Sequence, residues 1–393
     1  MVELSNSADA YLDNALADQP GVTGMKVISS RCDALALLAD VPRDWVHSGY
    51  QSPRLLSAWL EHAEANPFVL QFETIHGPVI LPLEEWDDCT ARYVGGKHAN
   101  GNFPLGSPNA ISAMGRFGHR QFTQAVRAQR QSTCSLVLER QLRDVDGLAN
   151  PFVYDNSPDS PNVALSFSIR DGFDAVLQAR NGKRLQKKMR SSQRKLEELG
   201  VISVQTPDTP HGVNAALERF FDLKSRRFRD LGIFDVFAEE QTRAVFRALF
   251  SDALSNHAEP SHVLHTLCID DNPVAVIGCT EFGDRVTVEF GAFDDALATA
   301  SPGDLLFFRA IELYCERGFE VFDFGVGDEL YKRRWCDIET WHADTFIAAN
   351  FRGQLIASMR DIRTHTVRSI KSNERVWAQV KRLRKAIGKA RGA

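Results

Sequence analysis

The 393-residue sequence has no apolar run that approaches the length of a membrane span. Its first residues, MVELSNSADAYLDNALADQP, are acidic and polar. They lack the basic and apolar layout of a secretory signal, so residues 1–22 are read as a flexible leader. Cysteine is scarce and scattered. The seven at 32, 89, 134, 268, 279, 315 and 336 are odd in number and form no C-x-x-C pair. That speaks against a zinc site and fits a reducing compartment, the cytoplasm. The sequence also lacks GxxxxGK[ST], G-x-S-x-G and H-E-x-x-H. P-loop nucleotide hydrolysis, elbow-type serine hydrolysis and zincin chemistry are thereby set aside.

The composition is 44% hydrophobic and 25% charged, that of an ordinary globular protein, and the length allows two domains. The net charge of −5 hides an asymmetry. Residues 361–393 hold ten Lys or Arg and only Asp361 and Glu374 as acids, a net of +8 that leaves −13 on the rest. Such a tail calls for an anionic partner. Trp377, Val380 and Ile387 mark an apolar stripe on it. The spacing predicts a basic amphipathic helix over 356–393, able to lie on an anionic membrane surface. Nucleic acid is the less expected partner.

The most informative stretch is 286–335. Residues 286–290 alternate as a strand does. Ser301-Pro302-Gly303-Asp304 starts a helix, with the serine expected as cap and proline at the first helical position. Leu305, Phe308, Ile311 and Cys315 recur at helical spacing up to Gly318. Residues 321–324 form a second strand, and Gly325 and Gly327 turn it into Asp328-Glu329-Leu330-Tyr331-Lys332. A strand feeding a helix start is a common phosphate-holding place, because unpaired N–H groups and the helix dipole point there.

The run SPG, a helix, then GFEVFDFGVGDELYKRRW resembles the acetyltransferase domain of the CelD/BcsL family. That family belongs to the GNAT acyltransferase superfamily and is related to FemAB-type transferases. The resemblance covers roughly residues 183–350. It implies a mixed α/β (α+β) protein of two GNAT-like halves with largely antiparallel sheets. The first half, a degenerate one, is expected over 23–175 and the acyltransferase half over 176–355. It implies acyl-CoA as co-substrate, with no permanently bound cofactor or metal. It also implies an amine acceptor from the cell envelope, an amino sugar of a polysaccharide precursor or a sphingoid-type base, met at the inner membrane face.

In that fold the donor lies between two splayed strands, here 286–290 and 321–324. Ser301, Gly303 and Asp304 then face its phosphates, with Phe324 and Gly325 beside it. Tyr331 stands where the superfamily keeps a tyrosine that protonates the departing thiolate. Glu289 or Asp323 could take the proton of the incoming ammonium. Asp328 and Lys332 either pair to fix the turn or touch the acceptor, and Trp335 is either core or a stacking surface. In the first half, Arg92–Phe103 contains GGKHAN, a run also found in the family, so Lys97, His98 and Asn100 are candidate acceptor contacts. Against this reading stand two others. One is a FemAB-like transfer from aminoacyl-tRNA, supported by the basic run at 183–195. The other is a non-catalytic, membrane-associated sensor or assembly factor.

Overall fold

The computed structural model describes residues 21–64, 66–86, 89–129, 132–254, 260–373, 375–377 and 379–380. The leader lies outside these except for Gly21 and Val22, as does the tail stripe beyond Val380. The chain divides into two compact units, one built on residues up to 161 with 341–373, the other on 162–340.

The first unit opens with β1 (Val22–Ile28), α1 (Arg31–Ala39) and α2 (Pro53–His62). There follow β2 (Asn66–Thr74), β3 (Gly77–Glu85), β4 (Thr90–Tyr93), the short β5 (Leu105–Gly106), α3 (Pro108–Met114), α4 (His119–Gln129) and β6 (Ser135–Gln141). A small hairpin, β7 (Asp144–Val145) and β8 (Leu148–Ala149), ends this pass. The second unit begins with β9 (Ala164–Ser168), α5 (Gly172–Gln178), α6 (Gly182–Glu197) and β10 (Ile202–Gln205). It continues through α7 (Pro210–Leu231), α8 (Glu240–Asp252), β11 (Ser261–Ile269), β12 (Asn272–Phe282) and β13 (Arg285–Phe293). It closes with α9 (Pro302–Glu316), β14 (Val321–Val326) and β15 (Ile338–Thr340). The chain then returns to the first unit with β16 (Ala343–Ala348) and α10 (Phe351–Ser372).

The two units repeat one design. Each has four antiparallel strands in a meander, β1–β4 or β10–β13, with two helices between the first and second. A helical crossover, α4 or α9, then leads to a parallel fifth strand, β6 or β14. An antiparallel sixth strand, β16 or β9, completes it. This is the expected pair of GNAT-like halves. Local chemistry explains several of the element starts. Ser52, Ser107 and Thr209 each precede a proline, and each accepts a hydrogen bond from a first-turn N–H of α2, α3 and α7. The β2–β3 turn ends on Gly77 at φ +106°, a backbone only glycine adopts freely.

The cores are phenylalanine clusters. In the first unit Phe72 lies 4.9 to 5.8 Å from the rings of Phe117, Phe122 and Phe152. In the second, Phe290 on β13 is ringed by Phe220, Phe237, Phe246 and Phe250 from α7, the following loop and α8. Gly278 opposite it leaves room for the ring, since a Cβ there would lie 2.2 Å from the Phe290 Cζ.

The sequence reading is corrected in four places. The strand expected in the first half at 163–169 is β9, which pairs with β14 and β15 in the second sheet. The strand expected at 340–349 to finish the second sheet is split. β15 stays there, while β16 pairs with β6 of the first. The turn at Trp341-His342, where His342 is buried, separates the two. The tail helix starts at Phe351, not 356, and packs on β16 and β6, so this part of it belongs to the first body. Finally, Cys89 and Cys134 form a disulfide. They precede the paired ends of parallel neighbours, Thr90 opposite Ser135, which sets their Cα atoms 5.4 Å apart. Sequence separation concealed this proximity.

The remaining five cysteines are free. Protein purified without reductant and titrated with a thiol reagent in denaturant is therefore expected to yield five reactive thiols per chain, rising to seven after reduction. Seven without reduction would refute the bridge.

Candidate active site

β13 and β14 pair in parallel over only three positions, Arg285 with Val321, Val286 with Phe322 and Thr287 with Asp323. Beyond them the strands diverge into a fork. Two irregularities open it. The register of β12 with β13 slips between Gly278 and Cys279, skipping Glu289 on β13 as a bulge. On β14 the register with β9 slips after Asp323, and Gly325 turns the chain at φ +67°. Asp323 sets that turn. One carboxylate oxygen accepts the Gly325 N–H at 2.7 Å, and the other pairs with Arg285 at 2.9 Å. It brackets the fork.

Aromatic rings line one wall. Tyr331 stacks on Phe307 at 5.5 Å and meets the edge of Phe324 at 5.8 Å. Burial, helped by Glu329, pushes the Tyr331 phenol upward, so it stays protonated and able to donate at neutral pH. Trp335 is buried and stacks on Phe167, the core alternative of the two read from sequence.

The start of α9 lies at the fork. Unlike the other three proline starts, Ser301 makes no side-chain cap, because its own backbone is left-handed at φ +53°. The expected hydroxyl cap is thus absent, and no serine oxygen occupies the first-turn N–H groups. Gly303 lets the helix approach β13, where a Cβ would lie 3.0 Å from the Phe293 ring. Asp304 does not stand alone at this turn. It pairs with Lys188 of α6 and, at 3.0 Å, with Arg334. Two cations on one carboxylate leave a net positive turn. The basic helix α6 is therefore only partly a solvated face. Met189, Ser192 and Leu196 are buried, and Lys195 reaches the Thr299 carbonyl at 3.1 Å.

The predicted Asp328–Lys332 pair is not formed. Asp328 pairs with Arg333 at 2.5 Å. Lys332 is drawn inward, 5% exposed, with its ammonium on the Val326 carbonyl at 3.0 Å and on Glu329 at 3.1 Å. Gly327 permits this, since a Cβ there would clash with the Glu329 carboxylate at 2.6 Å.

Sequence reading missed Lys224. It extends from α7 to donate to the Gly291 carbonyl of β13 at 3.0 Å, beyond the closed end of the fork. Among the described residues no carboxylate lies within ion-pair distance of it. Burial, followed by Arg227, lowers its ammonium to about 8. The signal was present: Leu217, Phe220 and Phe221 are buried, and Lys224 follows them at helical spacing on the same face.

The corresponding fork of the first unit is filled. β4 and β6 pair only at Thr90–Ser135 and Ala91–Leu136. Beyond that point Asn102 lies on β6, its N–H on the Arg140 carbonyl at 2.8 Å and its carbonyl on the Leu142 N–H at 2.9 Å. The expected acceptor contacts sit in the loop leading there, in the first unit. Arg140 holds the Lys97 carbonyl and the Asn100 side chain, at 2.9 and 2.5 Å, and His98 lies against Trp59. Trp59 and Trp86 each donate to the buried Glu84, both at 3.2 Å.

Residues 183–333 match the family model described as an acetyltransferase (GNAT) domain, so the fork lies within a GNAT-type domain. No curated protein matches the sequence. Among solved structures, L-PGS from Bacillus licheniformis aligns at 11% identity over 91% of this chain and 96% of its own, with a TM-score of 0.47. FemX aligns at 10% identity over 84% and 98%, with a TM-score of 0.49. A tandem GNAT protein from the clavulanic acid biosynthesis pathway aligns at 10% identity over 83% and 99%, with a TM-score of 0.40. With every one of these TM-scores under 0.5, none bears on what this chain binds.

Glu84 supplies a pH test of the first-unit cluster. Burial raises its carboxyl from 4.5 to about 7, against the Trp86, Trp59 and Gly95 donors. The folded value exceeds the unfolded one, so the folded state binds more protons between them. The stability tied to this is complete below about pH 4.5 and lost as pH rises through 7. Denaturant titrations should lose roughly 2–3 kcal/mol of stability between pH 5 and 8 from this group. Glu84→Gln should flatten that slope; an unchanged slope would mean the carboxyl is not so perturbed.

Proposed function

We propose that the protein is an acyl-CoA-dependent N-acyltransferase whose donor occupies the β13–β14 fork. The observation that carries this reading is the juxtaposition of an opened parallel strand pair with an uncapped, net-positive helix start. The first-turn N–H groups at Gly303 and Asp304, with Lys188 and Arg334, hold the donor phosphates. The thioester arm runs between the strands, past Phe324 and Gly325, where backbone N–H groups of β13 can bond it and polarise the acyl carbonyl.

The proton steps fall to two side chains. Neutral Lys224 takes a proton from the acceptor ammonium, and the freed amine attacks the thioester carbon. The C–N bond forms, the C–S bond breaks, Tyr331 protonates the departing thiolate, and the proton shed by the new amide nitrogen returns the Tyr331 phenolate to the phenol. The lowered ammonium of Lys224 suits it to this task better than Asp323, which is committed to Arg285 and Gly325. Glu289 at the bulge is the remaining carboxylate candidate on the strand. Lys332 and Asp328 shape the turn that carries Tyr331. For the acceptor, the CelD/BcsL resemblance favours the amine of an envelope molecule, an amino sugar of a polysaccharide precursor or a long-chain base, met at the inner membrane face. Lys97, His98 and Asn100 remain its proposed contacts in the first unit.

A second reading rests on α6, whose Lys183, Arg184, Lys187 and Arg190 are exposed in a row. Such a row suits a polyanionic donor such as aminoacyl-tRNA, and binding that falls steeply with salt would favour it.

Calorimetric titration with acyl-CoAs of graded chain length tests the main reading. Binding to at least one is expected, and none to any would sink it. Arg334→Ala should weaken coenzyme A binding by about tenfold, roughly 1.4 kcal/mol, with the loss shrinking at high salt. Lys224→Met should lower turnover by roughly 100-fold or more with donor affinity unchanged. The wild-type rate should rise with pH through about 8, as Lys224 becomes neutral. Lys224→Arg should lack that limb, and a retained limb would assign the base elsewhere.

A further inference from the structure

The helix α10 turns the wrong side to water. Its inner side is fixed on the first unit. Asn350 caps it by accepting the Gly353 N–H at 2.9 Å. Gly353 meets the start of β6 so closely that a Cβ would lie 1.7 Å from the Cys134 carbonyl. Ala357 and Thr364 are buried on the same side, and Arg368 pairs with Asp159 at 2.7 Å while lying over the Trp341 ring. The opposite side should therefore be polar. Instead it carries Phe351, Leu355, Met359 and Ile362, which are 80%, 54%, 70% and 64% exposed. Their spacing of four, four and three residues confines them to one arc of roughly 80°, about 17 Å long. A contiguous exposed stripe of this kind marks an interaction surface, where single exposed apolar residues do not.

Charge selects the occupant. Arg352 and Arg363 are exposed along one border of the stripe. The sequence that continues from it, residues 363–391, holds ten Lys or Arg against one acid, Glu374. A second copy of the chain docked stripe to stripe would bring these positive charges together. An anionic lipid surface would neutralise them while taking up the apolar row at the boundary of headgroups and acyl chains. We propose that α10 is a membrane-surface helix that seats the first unit on anionic bilayers through Phe351, Leu355, Met359 and Ile362. The helix lies in the plane of the interface and does not cross it; among the described residues no helix is long and apolar enough to span a membrane. This surface is independent of the acyltransferase reading and stands or falls without it.

Co-sedimentation of the full chain with sucrose-loaded vesicles tests it. Binding to vesicles of phosphatidylcholine with phosphatidylglycerol is expected, weaker on phosphatidylcholine alone and reduced by added salt. Leu355→Glu with Met359→Glu should lower the bound fraction by about tenfold, while circular dichroism and melting remain those of the parent, since both side chains face solvent. Three outcomes overturn the proposal. They are no binding to either vesicle, equal binding by parent and variant, and a concentration-dependent dimer in sedimentation velocity that the same substitutions abolish. The last would hand the stripe to a second copy.

Discussion

The second unit depends on where strand pairing stops. Three residue pairs hold β13 to β14, and everything chemically useful lies past the third. A sheet does not abandon backbone hydrogen bonds without compensation. Here the compensation is local. Asp323 takes the Gly325 N–H, and Lys224 and Lys332 take carbonyls of β13 and β14. The two lysines thus enter the fork from α7 and from the turn after β14, each held by main chain. The rings of Phe307, Phe324 and Tyr331 line one wall between them. The opening is a built feature, maintained by side chains from three different elements.

The same economy explains the helix start. Three serine- or threonine-proline starts satisfy their own first turn, and the fourth leaves it to something else. The difference is one backbone angle at Ser301. The acid at Asp304 would oppose an anion there, but it is overmatched by Lys188 and Arg334. The net field at the turn is set by residues 116 and 30 positions away in sequence.

Much of the architecture was legible in the sequence because it is written in short-range chemistry. Alternation gave the strands of both meanders, and a serine before proline gave the helix starts at Pro53 and Pro302, while α3 and the start of α7 at Pro210 were missed. The 286–335 run gave the fork itself, since its two strands and intervening helix are consecutive. What could not be read is what closes over long separations. The sixth strand of each sheet is not contiguous with the other five, so β9 and β16 were assigned to the wrong units. The Cys89–Cys134 bridge depends on parallel registry between β4 and β6. The motif put Tyr331 and Lys332 on the turn after β14, which is where they lie. It did not give the partner of Asp328, because Arg333 and Lys332 are adjacent and only the inward turn of Lys332 decides between them. Lys224 was hidden by its neighbours: a lysine beside Ser225-Arg226-Arg227 reads as surface charge until its face of the helix is known.

The first unit repeats the design and then stops it up. Asn102 lies along β6 as a short length of strand, bonded to Arg140 and Leu142 and fixed by Gln51 at 2.8 Å and by the Glu139 carbonyl. A chain segment in that position is tethered beside its site, and it competes with any guest at a high effective concentration. The consequence is one of stoichiometry. Two like folds supply a single vacancy, and the half whose fork is closed is released from the desolvated lysine that an open one demands. It is free to bury tryptophan against glutamate there instead.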